Sequence, residues 1–254
     1  MKRIDRLMVD QGVVSSRTHA QRLISESRVK VLDSGICEVP TKPSHKFSEE
    51  VEIQIELNET DRYVSRGGLK LAGALEKTGL DITGFTVLDV GQSTGGFTDC
   101  VLQAGAVKVV GIEVGHDQLV ESLRKDERVV CFEGANARSL PADELLSYTP
   151  EQQGFDLVVM DVSFISQTKI LPALVPLMKQ SGSLVSLVKP QFEVGSSGLG
   201  KGGIVRDESL YPQVKKRITE CCESLKIDVQ DYFISPIKGG DGNKEFFFWG
   251  VRSQ

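Results

Sequence analysis

The chain has 254 residues, 40% hydrophobic and 26% charged, with a formal net charge of −5. This is the profile of a globular protein of one or two folding units, and it excludes a disordered or fibrous chain. No run of eighteen apolar residues is present, and Met1 to Asp10 is charged where a signal peptide would be apolar, so no membrane partner is expected and the expected location is cytoplasmic.

In chain order, Ile4, Leu7 and Met8 recur at helical spacing and the run stops at Gly12, which predicts a short helix with a glycine beyond its end. Ser15 or Ser16 would cap a second helix burying Ala20, Leu23 and Ile24, with Arg17, Arg22 and Arg28 on the opposite face. Residues 1 to 30 carry Lys2, Arg3, Arg6, Arg17, Arg22, Arg28 and Lys30 against Asp5, Asp10 and Glu26, a local net charge of +4 that the acidic total conceals. Val29 and Val31 predict a strand, Asp33-Ser34-Gly35 a turn, and Val51, Ile53, Ile55 and Leu57 a half-exposed strand. Together they make a small α+β unit of about sixty residues. After the polar stretch Asn58 to Arg62, helices alternate with apolar strands at Thr86 to Val90, Val107 to Val114, Val129 to Phe132, Leu157 to Asp161 and Leu184 to Lys189. That alternation predicts a doubly wound, mostly parallel sheet. Val229 to Ile234, a loop with Gly239, Gly240 and Gly242, and Phe246 to Val251 predict a hairpin that adds an antiparallel edge.

The five cysteines (Cys37, Cys100, Cys131, Cys221, Cys222) form no C-x-x-C pair, and His19, His45 and His116 lack ligand spacing, so reduced, mostly buried thiols and no metal site are expected. The first strand of the sheet runs into Gly91-Gln92-Ser93-Thr94-Gly95-Gly96-Phe97, a glycine turn that opens a helix and offers free N–H groups to a ligand. The G-x-G-x-x-G spacing of a dinucleotide fold is absent. Asp89 ahead of the turn and Glu113 ending the next strand make the stretch similar to class I methyltransferases, in which the second acid accepts from both ribose hydroxyls of S-adenosyl-L-methionine. Gly195 to Lys201 imitates the first seven positions of a phosphate-binding P-loop, but Gly202 stands where a magnesium-binding Ser or Thr is required. A flexible loop or substrate lid is the better account.

Lys70, Asp161, Lys189 and Glu245 are charges at places where a core-directed chain rarely puts them, the last three bordering apolar strands. They resemble the Lys-Asp-Lys-Glu tetrad of FtsJ-like RNA ribose 2′-O-methyltransferases. The runs S-R-G-G-L-K, D-V-G-Q-S-T-G-G-F-T-D, N-A-R from Asn136 to Arg138, M-D-V-S-F-I-S, V-K-P-Q-F-E, K-G-G-I-V-R-D and S-P-I-K-G-G-D-G-N-K-E-F resemble, in order, the TlyA family of ribosomal RNA methyltransferases, some of whose members carry the name haemolysin. The departures are Gln92, where that family usually has a small residue, and Glu113, where Asp is common.

The resemblance implies an α/β class I methyltransferase (Rossmann-like) domain over residues 61–254 and an RNA-binding domain of the ribosomal protein S-four type over residues 1–60. It implies S-adenosyl-L-methionine as cofactor, bound by Asp89, Gly91, Ser93, Thr94, Gly95, Gly96, Phe97, Glu113, Asn136 and Asp161. It implies ribosomal RNA or a ribosomal subunit as partner, with Arg3, Arg6, Arg17, Arg22, Lys30 and Arg66 as RNA contacts. By the same analogy Lys189 is the base, Lys70 and Glu245 hold the hydroxyl and the base, and Asp161 orients the base near the donor methyl. Such a transfer needs a positioned base and no metal, since the ribose hydroxyl is a very weak acid. A membrane-lytic protein is the alternative that the haemolysin name raises, and the sequence opposes it: there is no spanning segment, and Trp249 is the only tryptophan. An inactive RNA-binding relative is opposed by the intact tetrad.

Overall fold

A computed structural model describes residues 1–14, 16–56, 58, 61–239 and 242–253. Ser15, Leu57, Gly240 and Asp241, which the readings above touch, lie outside the described residues. The chain divides into two compact units, Met1–Asp61 and Arg62–Gln254.

The first unit contains β1 (Lys2–Arg3), α1 (Ile4–Asp10), α2 (Arg17–Ser25), β2 (Val29–Asp33), β3 (Ile36–Glu38), β4 (Lys46–Phe47) and β5 (Glu52–Ile55). Ser16 caps α2 by accepting from the His19 N–H at 3.2 Å. Strands β2 and β3 are joined through Ser34 and Gly35, both at positive φ (49° and 85°), the conformation a two-residue hairpin turn demands. Ile4, Leu7, Met8, Ala20, Leu23, Ile24, Val29 and Val31 close a core of their own. Arg28 departs from its expected place on an exposed basic face. It lies past the end of α2, is 7% exposed, and donates to the Glu56 carbonyl, Glu26 and Asp61.

The second unit opens with α3 (Arg66–Thr78), ended by Gly79 in the left-handed conformation. It continues with β6 (Thr86–Val90), α4 (Gly96–Gln103), β7 (Lys108–Glu113), α5 (Glu121–Arg124), β8 (Val129–Glu133), α6 (Ala142–Leu146), β9 (Phe155–Met160), α7 (Leu171–Leu174), β10 (Met178–Val188), α8 (Tyr211–Ser224), β11 (Ile227–Ile234) and β12 (Phe246–Arg252). The seven-stranded sheet has the order β11-β12-β10-β9-β6-β7-β8, and β12 is antiparallel to both neighbours. The C-terminal hairpin is therefore appended at the β10 side of the sheet as the sequence predicts, with β12 next to β10 and β11 outermost. One face of the sheet is covered by Leu71, Ala74, Phe97, Cys100 and Val101 of α3 and α4, the other by Leu145, Leu171, Leu174, Val214 and Ile218 of α6, α7 and α8. The chain runs outward from β6 to β8 and then returns to β9 beside β6. This reversal opens a crevice at the carboxyl ends of β6 and β9. The cysteines are all free, but only Cys100 and Cys222 are buried; Cys37 is exposed because every residue of its edge strand β3 is.

Candidate active site

Gly91 leaves β6 with φ +85°, and a Cβ there would fall 2.3 Å from the Asp161 carbonyl, so only glycine lets the loops after β6 and β9 approach. Gly95, at φ +96°, starts α4. Asp89 lies beneath this loop, fully buried. Its Oδ2 accepts from Thr98 Oγ1 at 2.7 Å, and Thr98 Oγ1 accepts in turn from Gln92 Nε2 at 2.9 Å. Burial pushes the Asp89 carboxyl up to about 7. The Gln92 amide is accommodated because β7 carries Gly111 opposite it: a Cβ there would sit 2.0 Å from Gln92 Cδ.

Above the loop is a cavity of about 540 Å³ whose walls include Gly91, Ser93, Glu113, Asn136 and Asp161, with Ile112, Val114, Ala135, Ala137, Ile165 and Ile170 as its apolar part. The two oxygens of Glu113 accept from Ser93 N–H at 2.8 Å and Gly115 N–H at 2.7 Å. Each oxygen keeps a second acceptor direction, which suits a vicinal diol. A smaller depression of about 120 Å³ shares Gly91, Ser93 and Asp161 with the cavity and adds Thr94, Gly96, Phe97, Ser65, Gly67 and Lys70.

The four charged residues meet as two ion pairs. Lys70 Nζ lies 2.5 Å from Glu245 Oε2, both side chains being nearly inaccessible, and Lys189 Nζ lies 2.6 Å from Asp161 Oδ1 and 3.0 Å from Ser163 Oγ. Of the four, Lys70 and Asp161 line the smaller depression, and Glu245, 175 residues from Lys70 in sequence, and Lys189 are tied to it through them. Phe164 is 91% exposed at φ +64°, on the cavity wall and 5.0 Å from the Phe192 ring. Among the described residues no cluster of His, Cys, Asp or Glu is arranged to hold a metal ion.

Of the expected RNA contacts, Arg3 and Arg17 both bind the buried carboxylate of Asp5, at 3.0 and 2.8 Å. Hydrogen bonds led by that from Arg3 hold the Asp5 carboxyl well below the usual range. Arg22 lies 3.7 Å from Asp61, Lys30 pairs with Glu56, and Arg66, exposed at the start of α3, donates to the Lys238 carbonyl at 3.1 Å. Arg6 is exposed and makes no ion pair among the described residues. The sequence reading missed Ser163, Phe164, the Gln92–Thr98 link and Gln118, which accepts from Ser93 Oγ at 3.2 Å. Phe164 alone carried a signal, as a large apolar residue three places after a strand-end acid.

Residues 63–252 match the FtsJ-like methyltransferase family and residues 2–31 the S4 domain. The chain is 40% identical over 254 residues to the 16S/23S rRNA (cytidine-2′-O)-methyltransferase TlyA of Mycobacterium tuberculosis, covering 99% of this chain and 90% of that protein. It is 37% identical to hemolysin A of Brachyspira hyodysenteriae, covering 96% and 97%. A solved hemolysin structure from Streptococcus thermophilus superposes with a TM-score of 0.74 at 37% identity, over all of this chain and 89% of that one.

Proposed function

The chain belongs to the TlyA family of FtsJ-like methyltransferases, and from that premise we propose that it transfers a methyl group from S-adenosyl-L-methionine to a ribose 2′-hydroxyl of ribosomal RNA. The observation that carries this reading is that one member of each ion pair, Lys70 of Lys70–Glu245 and Asp161 of Asp161–Lys189, lines the depression shared with the glycine loop. The cavity fits the cofactor: Glu113 has acceptor capacity for a ribose diol, the apolar walls at Ile112, Val114, Ile165 and Ile170 suit a flat base, and Gly91 keeps the backbone low. When bound, the cofactor supplies a methyl group on a cationic sulfur.

The protein's own part is to orient the hydroxyl and take its proton. Lys189 Nζ is the group placed to take that proton, and the Asp161 carboxylate at 2.6 Å stabilises the ammonium that results. Ser163 Oγ restrains the same nitrogen. Lys70, held by Glu245, places a positive charge beside the developing alkoxide. Phe164 presents an exposed ring on which the base of an extruded nucleotide stacks, and its left-handed backbone is strain of the sort that functional sites retain. Arg6, Arg22 and Lys30, with Arg3 and Arg17 where their pairing with Asp5 leaves donors free, contact phosphates. The cytidine named for the Mycobacterium tuberculosis relative is the expected target nucleotide.

Incubating the protein with methyl-labelled cofactor and ribosomal RNA from cells lacking the gene should place the label on ribose and protect one linkage from alkaline cleavage. Label on a base, or none on RNA, would overturn the reading.

A further inference from the structure

Strands β9 and β10 are paired up to Met160 and Ser186. Asp161 and Lys189, whose registration the proposed reaction requires, both lie beyond that last bridge between the two strands. What spans the gap is a set of buried side-chain hydrogen bonds. Gln167, 2% exposed, reaches back to β10: its Nε2 donates to the Leu187 carbonyl at 2.6 Å and its Oε1 accepts from Ser186 Oγ at 2.9 Å. Glu193, 4% exposed and just after Lys189-Pro190-Gln191-Phe192, reaches the other way: Oε1 accepts from the Gln167 N–H at 2.8 Å and Oε2 from Ser166 Oγ at 2.7 Å. Its own backbone is fixed, its N–H donating to the Pro190 carbonyl at 2.9 Å and its carbonyl accepting from Arg217 of α8.

We propose that Gln167 and Glu193 are positioning residues for methyl transfer: they clasp the loop after β9 to the end of β10 and thereby hold Asp161 and Ser163 against Lys189, and Phe164 against Phe192. The assignment rests on the function proposed above. A loop that needed only to be stable could be tied by apolar contacts; here a carboxyl is desolvated, and burial pushes Glu193 up from its ordinary value. Both carboxyl oxygens are spent on donors from one loop while the backbone belongs to the other. The clasp acts on the two loops that carry the proposed base and its partner, and a displacement of about 1 Å there costs on the order of 100-fold in rate.

The test uses the protein with ribosomal RNA and four readouts: single-turnover methylation rate, S-adenosyl-L-methionine affinity by calorimetry, KM for RNA, and melting temperature. Glu193→Ala should slow transfer by roughly 10- to 100-fold, with cofactor affinity and KM for RNA within about threefold of wild type. Glu193→Gln should recover most of the rate, because its amide oxygen still accepts from Gln167 N–H and its NH₂ faces the Ser166 hydroxyl. Ser166→Ala removes one donor without opening a sizeable cavity, so it stands in if Glu193→Ala does not fold, and a severalfold slower step is expected. Wild-type rates in Glu193→Ala or Ser166→Ala would overturn the proposal. So would a parallel fall of rate, cofactor affinity and melting temperature that Glu193→Gln does not reverse. No transfer by the wild-type protein run alongside would overturn the function reading, and the clasp's catalytic role with it.

Discussion

In the proposed reaction Glu113 serves binding and Lys189 chemistry, and single substitutions separate the two. Glu113→Ala removes the acceptor that faces the cavity and should weaken S-adenosyl-L-methionine binding by about 1.5 to 3 kcal/mol, the range for hydrogen bonds to a charged group; calorimetry reads it directly, and unchanged affinity would remove Glu113 from the site. Lys189→Arg keeps the charge beside Asp161 but supplies no base near neutral pH. Single-turnover methylation should fall by a factor of about 100 to 10,000 while cofactor affinity holds. A rate near wild type would reduce Lys189 to an anchor of charge. Asp89, raised by burial to about 7, leaves a mark on stability. Between about pH 4, where an unfolded aspartate ionises, and about pH 7, the folded chain keeps a proton that the unfolded chain has lost. Stability should therefore fall as pH rises through this window and level off above it. Urea titrations of Asp89→Asn should show that slope reduced; an unaltered slope would assign the pH dependence elsewhere. Asp89, Glu113, Asp161, Lys189 and Glu245 were legible in sequence because they interrupt or border apolar strands, whereas Lys70, on α3, was legible through the motif around it. Gln167 and Glu193 were not, because a polar residue in a loop reads as solvated until the packing shows it buried.

Among the elements, the fit of α3 against α4 depends on glycines in two separate motifs. A Cβ on Gly68 would lie 2.4 Å from the Tyr63 ring and 2.9 Å from the Gly96 carbonyl, and one on Gly96 would lie 2.1 Å from Ser65 Oγ and 3.0 Å from the Gly68 nitrogen. The helix bearing Lys70 is thus seated directly on the start of the cofactor-loop helix. Gly68→Ala should destabilise by about 1 to 3 kcal/mol, as overpacking does, and should also slow transfer by displacing Lys70; a melting temperature and rate equal to wild type would show that the contact yields freely. Apolar runs and the glycine loop made most of the strands readable. The C-terminal hairpin was readable as an antiparallel edge of the sheet, but that β12 is its inner strand and β11 its outer one was not, since nothing local distinguishes an interior strand from an edge one. Strand β10 begins six residues before its apolar run, because Ser181 at φ +61° and the shifted register near Gly182 interrupt the pattern the eye follows.

At the scale of the whole molecule, the acidic total of the chain hides an uneven distribution of charge over two units, the first thirty residues carrying a net +4. Within the first, Arg3 and Arg17 serve Asp5 as well as any ligand, whereas Arg6 has no such duty. Arg6→Gln should lower affinity for ribosomal RNA and reduce the slope of log affinity against log salt by about 1, with cofactor binding and melting temperature unaltered. Arg17→Gln should lower both RNA affinity and melting temperature. Filter binding over a salt series decides it, and an unchanged slope in Arg6→Gln would move the RNA face elsewhere. The 175-residue separation between Lys70 and Glu245 has a consequence in time as well as in space. Glu245 stands at the mouth of the last strand, so a chain emerging from the ribosome completes Gly91, Glu113, Asp161 and Lys189 long before the partner of Lys70 arrives. A nascent chain can therefore carry the whole donor pocket while still lacking one of its two ion pairs. The second ion pair waits on the synthesis of Glu245, whatever has been made before it.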